Sequence, residues 1–197
     1  MNKKLLFATH NKNKVKEVSQ VLTNFEILSL TDIGFYQEVE ETGKTFHENA
    51  EIKVDAVRNE FNGTIFADDS GLVIPALNNE PGIYSSRYAG TGNSEDNIQK
   101  VLQKLENGNN RYAYFLTVIC LLYNNKKYFF EGKIQGDILL TPEGSGGFGY
   151  DPIFKPKDYV KSFALLSFEE KNRIINGNYS SGKCISFGEK RKCTYRE

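Results

Sequence analysis

Apolar residues along this chain change their spacing several times, and each change marks an element. Lys4-Leu5-Leu6-Phe7-Ala8, apolar without a break after its lysine, predicts a buried first strand. It stops at the polar stretch Thr9-His10-Asn11-Lys12-Asn13-Lys14, after which Val15, Val18 and Leu22 recur at i, i+3 and i+7 and predict a helix. Glu26 to Leu30 predicts a second, short strand. Thr45-Phe46-His47-Glu48 has the form of a capping box. The helix it opens carries Phe46, Ala50, Val54, Val57 and Phe61 on or near one face and is expected to close near Asn62-Gly63. Asn49 and Lys53 share another face of that helix, one turn apart. Thr64-Ile65-Phe66-Ala67 then predicts a strand that ends at or near Asp68-Asp69. Strand interiors disfavour Asp, and Ser70-Gly71 is turn punctuation.

Beyond Val73-Ile74-Pro75-Ala76-Leu77, the stretch Asn78-Asn79-Glu80-Pro81-Gly82 is a strong turn signal, and Ile83 to Gly90 reads as irregular. The clearest helix follows. Asn93 and Ser94 offer caps, Glu95 and Asp96 suit its first turn, and Ile98, Val101, Leu102 and Leu105 mark its buried face. Tyr112 to Tyr123 is a long aromatic-rich strand. Asn124-Asn125-Lys126-Lys127 turns it back into Tyr128 to Gly136 as an antiparallel hairpin, so the sheet is expected to be mixed. A glycine-rich stretch from Pro142 to Phe154 interrupts the pattern, and Ser167-Phe168-Glu169-Glu170-Lys171 caps a further helix running through Ile174. From Ile175 the apolar period collapses. These elements predict one α/β domain over residues 1–197, a mixed sheet flanked by helices, with 175–197 as a divergent tail.

Composition alters this picture mainly by exclusion. Lys+Arg 25 balances Asp+Glu 25, so no overall field favours a polyanion, and nucleic acid is not expected as a partner. An anionic ligand would have to be met by local lysines and backbone amides. Three scattered cysteines, Cys120, Cys184 and Cys193, are too few for a disulfide framework. The four apolar residues after Met-Asn-Lys-Lys are too short for a signal h-region or a membrane span. A cytoplasmic protein with no membrane association is the expectation.

Three stretches carry candidate chemistry. Asp68 and Asp69 stand side by side at the expected strand end, where open α/β sheets bind ligands. Adjacent carboxylates repel unless a cation or a shared proton lies between them; the bland alternative is a capped turn with solvated acids. Thr9 to Lys14 lies between strand and helix, where backbone amides and a lysine make a natural phosphate seat. It lacks the glycines and the Gly-Lys-Ser/Thr ending of a Walker loop, and a plain helix cap would look similar. Gly144 to Gly149 permits close backbone approach to a ligand. There Phe148 and Tyr150 offer flat faces to a nucleobase and Asp151 a hydrogen-bond acceptor, while a glycine-rich hinge with core aromatics fits the same spacing.

Taken in order, these pieces resemble the inosine triphosphate pyrophosphatase family, also known as dITP/XTP pyrophosphatases. Thr9-x-Asn11-x-x-Lys14 is similar to the family's phosphate loop. Glu40-Glu41-Thr42-Gly43-x-Thr45-Phe46-x-Glu48-Asn49-Ala50, with Lys53, is similar to its acidic loop and second helix. Ala67-Asp68-Asp69-Ser70-Gly71-Leu72 with Pro81-Gly82-Ile83-Tyr84-Ser85-x-Arg87-Tyr88 resembles the central signature. Gly146 to Phe154 resembles the base-pocket loop. The resemblance spans roughly residues 4 to 174.

It implies an elongated α/β fold with two lobes around a central substrate cleft, and a homodimer. It also implies Mg²⁺-dependent hydrolysis of ITP, dITP and XTP to the monophosphate and pyrophosphate. On this resemblance Asp69 is the general base, and Glu40 and Asp69 hold Mg²⁺ with Glu41 and Asp68 as supporting neighbours. Thr9, His10, Asn11, Lys12, Asn13, Lys14, Lys53 and Ser70 bind the triphosphate. Phe148, Gly149, Tyr150, Asp151 and Lys171 receive the base. The family's Ser-His-Arg, which meets the purine 6-oxo group, is absent: Ile175-Asn176-Gly177 stands in its place, and His10 and His47 are the chain's two histidines. A missing donor there predicts a loss of selectivity of ~1–3 kcal/mol. Two other readings stay open, a Maf-type pyrophosphatase of different specificity and a nucleotide-binding protein whose altered C-terminus has cost it activity.

Overall fold

The computed structural model describes residues 3–106, 108–167, 169–171 and 173–174. Its strands are β1 (Lys3–Phe7), β2 (Phe25–Leu28), β3 (Thr64–Ile74), β4 (Glu80–Pro81), β5 (Tyr112–Tyr123), β6 (Lys126–Ile138) and β7 (Phe154–Pro156). Its helices are α1 (Lys12–Val21), α2 (Phe46–Val57) and α3 (Ser94–Lys104). The strands join in one sheet in the order β2-β1-β3-β5-β6-β7, with β4 paired to β3. β1 runs parallel to both β2 and β3, whereas β4 on β3 and β7 on β6 are antiparallel. The sheet is therefore mixed, as the sequence pattern predicts. Asn124 and Asn125 both adopt positive φ (50° and 59°) between β5 and β6, the conformation a two-residue hairpin turn requires.

The chain packs as two compact units. The first takes residues 3–69 and 118–131, and the second takes 70–117 together with the described residues from 132 to 174. Strands β3, β5 and β6 each contribute to both. The first unit has an apolar cluster of Leu5, Phe7, Phe66 and Leu121, with Val15, Val18 and Leu22 of the α1 segment packed on it. Phe7 and Phe66 stack with ring centroids 4.5 Å apart. The second unit has a larger core that includes Leu72, Ile74, Ile98, Val101, Leu105, Ile138, Ile153 and Phe154. Within it Phe154 meets Phe115 edge-on at 4.7 Å and tilts against Phe163 at 5.3 Å. The helical positions picked out by their apolar spacing in α1 and α3 are thus the ones that face each core.

Two expected boundaries differ. β3 does not end at the aspartate pair but continues to Ile74. Its pairing with β1 does end early, at Phe7 opposite Phe66. Asp68 and Asp69 therefore project beyond the carboxyl end of β1, and the Asp penalty in a strand is offset because each carboxylate finds a basic partner on another element. Helix α2 ends at Val57 with Arg58 as its cap, several residues before Asn62-Gly63, so Phe61 lies outside the helix.

The caps follow the sequence closely. Asn11 caps α1, Thr45 caps α2 and Asn93 caps α3, each accepting backbone N–H groups of the first turn. Ser167 and Glu170 cap each other's backbone N–H groups, and residues 169–171 and 173–174 are helical. The expected tail at 175–197 lies outside the described residues.

Candidate active site

In the first unit, three acidic residues and two lysines gather at the end of β1. Lys53, on α2, directs its ammonium at three oxygens: Glu41 Oε1 at 2.6 Å, the Asp68 carbonyl at 2.9 Å and Asp69 Oδ1 at 3.7 Å. Lys14, on the first turn of α1, pairs with Asp68 Oδ2 at 2.6 Å. Successive strand residues point to opposite faces, which is how one lysine comes to serve the Asp68 carboxylate and another that of Asp69. Asp69 is only 6% exposed. Its Oδ2 accepts a hydrogen bond from Asn49 Nδ2 at 3.1 Å.

Burial pushes the Asp69 carboxyl above the ordinary aspartate range. The Lys53 charge and the Asn49 hydrogen bond oppose that rise, while the Glu41 and Asp68 charges add to it. A buried carboxylate with raised proton affinity, next to a cation and other acids, has the electrostatics of a general base. The donor atoms are of the type a hard cation uses. Carboxylate and carbonyl oxygens already surround one ammonium, and Mg²⁺ is commonly held by one or two carboxylates completed by substrate phosphates and water. Among the described residues, no group of three or more Asp, Glu, His or Cys side chains is placed to hold a metal ion by itself, so an ion here would rest on one or two carboxylates completed by phosphate and water.

Other residues expected at the phosphate end lie in the loop before α1 and in its first turn. Asn11 Oδ1 accepts from the N–H groups of Asn13 and Lys14, and the Asn11 N–H donates to Thr9 Oγ1. His10 Nε2 lies 3.0 Å from the Gln37 carbonyl. Lys12 and Asn13 are exposed. Glu40 is exposed, and its half-buried neighbour Glu41 is the acid that reaches Lys53.

The second unit carries the expected base-end residues. Asp151 Oδ2 pairs with Lys171 Nζ at 2.8 Å and accepts the Phe148 N–H at 3.3 Å. Gly147 holds φ +79°, and a methyl group there would collide with Asp151 Oδ2 and stand 2.9 Å from Lys171 Nζ. Only glycine admits that approach. Phe148 is 64% exposed and presents its ring to solvent, and Gly149 at φ +59° has open space on the side a side chain would take. Tyr150 is different: its ring belongs to the core at 4% exposure, and its hydroxyl donates to the Ser85 carbonyl at 2.8 Å. Burial, with a lesser contribution from Tyr88, pushes that phenol up. Ser70 Oγ donates to Thr117 Oγ1 at 3.0 Å.

Two residues of these clusters are not among those expected from the sequence. Asn49 is fully buried, with both ends of its amide bonded, and its signal is its place one turn before Lys53 on the same helical face. Thr117 gives no signal, since it lies mid-strand in β5.

The Ham1 family model matches residues 5–176. The chain belongs to the Ham1 family. Relatives agree over most of their length. A dITP/XTP pyrophosphatase of Flavobacterium johnsoniae is 48% identical over 173 residues, 87% of this chain and 90% of that protein. One from Christiangramia forsetii is 47% identical over 173 residues, covering 87% and 91%. Among solved structures, the Staphylococcus aureus Ham1 protein superposes with a TM-score of 0.82 at 40% identity, covering 89% of this chain and 93% of its own. The mixed α/β architecture is therefore the Ham1 fold. Membership of the Ham1 family does not favour the Maf-type alternative.

Proposed function

We propose that this chain hydrolyses dITP, XTP and ITP to the nucleoside monophosphate and pyrophosphate. The observation that carries the reading is the Lys53 ammonium held among Glu41, Asp68 and the buried Asp69, in a Ham1-family chain whose relatives are named dITP/XTP pyrophosphatases. Asp69 accepts a proton from the water that attacks the α-phosphorus, and the bond to the β-phosphate breaks with pyrophosphate leaving. Lys14 and Lys53 exchange their carboxylate partners for phosphate oxygens and neutralise the developing charge. Thr9, Asn11 and Ser70 orient the chain of phosphates, with His10, Lys12 and Asn13 along its edge. Glu41 and Asp69, supported by Asp68 and by Glu40 on the same loop, would hold Mg²⁺. That ion would supply charge neutralisation and alignment of the polyphosphate.

The second unit reads the base: Phe148 offers its face, the Gly149 backbone its open approach, and the Asp151–Lys171 pair its polar groups, with Tyr150 anchoring the loop. The segment where the Ser-His-Arg motif is replaced lies outside the described residues, and its sequence supports reduced discrimination between 6-oxo and 6-amino purines. A homodimer and a cytoplasmic location belong to the same reading, supported by the family resemblance. No helix among the described residues is long and apolar enough to cross a membrane.

The test is pyrophosphate release from dITP, XTP, ITP, dATP and dGTP with and without Mg²⁺. Release from the first three, abolished by a chelator, is expected. Binding of dITP with no pyrophosphate formed at any Mg²⁺ concentration would overturn the reading in favour of a nucleotide-binding protein.

A further inference from the structure

Asn49 is 0% exposed and uses both ends of its amide. Its Oδ1 accepts the Gly43 N–H at 2.9 Å, and its Nδ2 donates to Asp69 Oδ2 at 3.1 Å. One side chain thus joins the acidic loop of Glu40 and Glu41 to the strand that carries Asp69. The loop lies so close that a methyl group at Gly43 would stand 2.6 Å from Asn49 Oδ1 and 2.6 Å from Glu48 Cβ. We propose that Asn49 is a positioning residue for the hydrolysis, fixing the rotamer of Asp69 and the seat of the acidic loop through one amide. The inference rests on the function proposed above.

The physical reason lies in charge. Glu41 and Asp69 repel each other, and Lys53, which contacts both, is also needed by the phosphates. When that ammonium turns to substrate, its hold on the spacing of the two acids loosens. A neutral donor–acceptor bridge holds them without adding or removing charge, and it works whether or not Lys53 is engaged. With Oδ2 tied to Asn49, Asp69 keeps Oδ1 on the side of Lys53. A buried amide that merely satisfied a loop N–H would need no donor contact to a carboxylate.

Asn49→Asp separates the two halves, since it keeps an acceptor for the Gly43 N–H but replaces the donor toward Asp69 with a like charge. Asn49→Leu removes both. Gly43→Ala leaves Asn49 in place and displaces its Oδ1. Steady-state kinetics with dITP, together with hydrogen exchange of the Gly43 amide, read them. Asn49→Asp is expected to lower kcat by roughly 30- to 100-fold, with KM within about threefold and the Gly43 amide still protected. Asn49→Leu is expected to lose both kcat and that protection. Gly43→Ala is expected to lower kcat by about tenfold, and it decides the matter should Asn49→Asp fail to fold.

Parent-like kcat in Asn49→Asp, or in Gly43→Ala when the former does not fold, overturns the inference and leaves the pyrophosphatase reading standing. A parent chain that releases no pyrophosphate overturns the reading instead. In that case Gly43 exchange still reports the tether: unchanged protection in Asn49→Leu would show that Asn49 does not hold the loop.

Discussion

The two units use a lysine–carboxylate pair in opposite ways. In the first, Glu41, Asp68 and Asp69 outnumber Lys14 and Lys53, and the Lys53 ammonium is shared among three oxygens. In the second, Asp151 and Lys171 match one to one, packed against the bare backbone of Gly147. An acid-rich cluster leaves a deficit of positive charge that another cation can fill, so its ion pairs are exchangeable. A balanced pair built against a glycine is a fixed piece of geometry. On the proposed function, the reacting end and the base-reading end thus call for different electrostatics, even where the residue types are the same.

The largest test of that contrast is Asp69→Asn. If Asp69 is the general base proposed above, its loss is expected to lower kcat about 10²- to 10⁴-fold. Folding should not suffer. The carboxyl is raised in the folded state, so the native protein binds its proton more tightly than the unfolded chain does. The ionised group therefore costs stability at neutral pH, and that cost is relieved as pH falls through the folded value toward the unfolded one. Thermal unfolding at pH 7 should show the Asp69→Asn variant no less stable than the parent.

Lys53→Met comes next. Removing the shared ammonium is expected to lower kcat/KM about 100-fold, and to destabilise the metal-free protein by about 1–3 kcal/mol through uncompensated acids. If those oxygens accept a hard cation, Mg²⁺ should raise the melting temperature of this variant more than that of the parent. Equal shifts would break the comparison on its acidic side.

Gly147→Ala tests the fixed pair. The positive φ and the close approach to Asp151 predict a loss of about 1–3 kcal/mol in stability. They also predict a fall in the preference for dITP over dATP, with kcat for dITP changed less than selectivity. The smallest effect is expected from Tyr150→Phe. It deletes one hydrogen bond to the Ser85 carbonyl, costing about 0.5–1.5 kcal/mol in chemical denaturation. A larger change in KM than in stability would show that its hydroxyl reads the base rather than anchoring the loop.

Much of this architecture is legible in the sequence. Val15, Val18 and Leu22 announce the packed face of α1, Asn124-Asn125 announces the hairpin, and Thr45 with Glu48 announces the start of α2. These signals are local, because a helical face, a positive-φ turn and a cap each depend on residues a few positions apart. The continuation of β3 through Asp68-Asp69 is not legible. Asp disfavours a strand only while its carboxylate has no better partner, and Lys14 lies 54 residues away. The burial of Tyr150 is hidden for a related reason. Next to glycines and Phe148 its ring looks available to a ligand, but Ser85, 65 residues earlier, draws its hydroxyl into the core.

The succession of elements, the apolar faces, the caps and the stretches that carry charge thus follow from the chain alone, all of them consequences of near neighbours along the backbone. Folding in three dimensions was needed to settle which carboxylate meets which lysine, that Glu41 rather than Glu40 reaches Lys53, and that Asn49 spans from Gly43 to Asp69. Those choices depend on distances that packing closes between separate elements, and no local pattern encodes them.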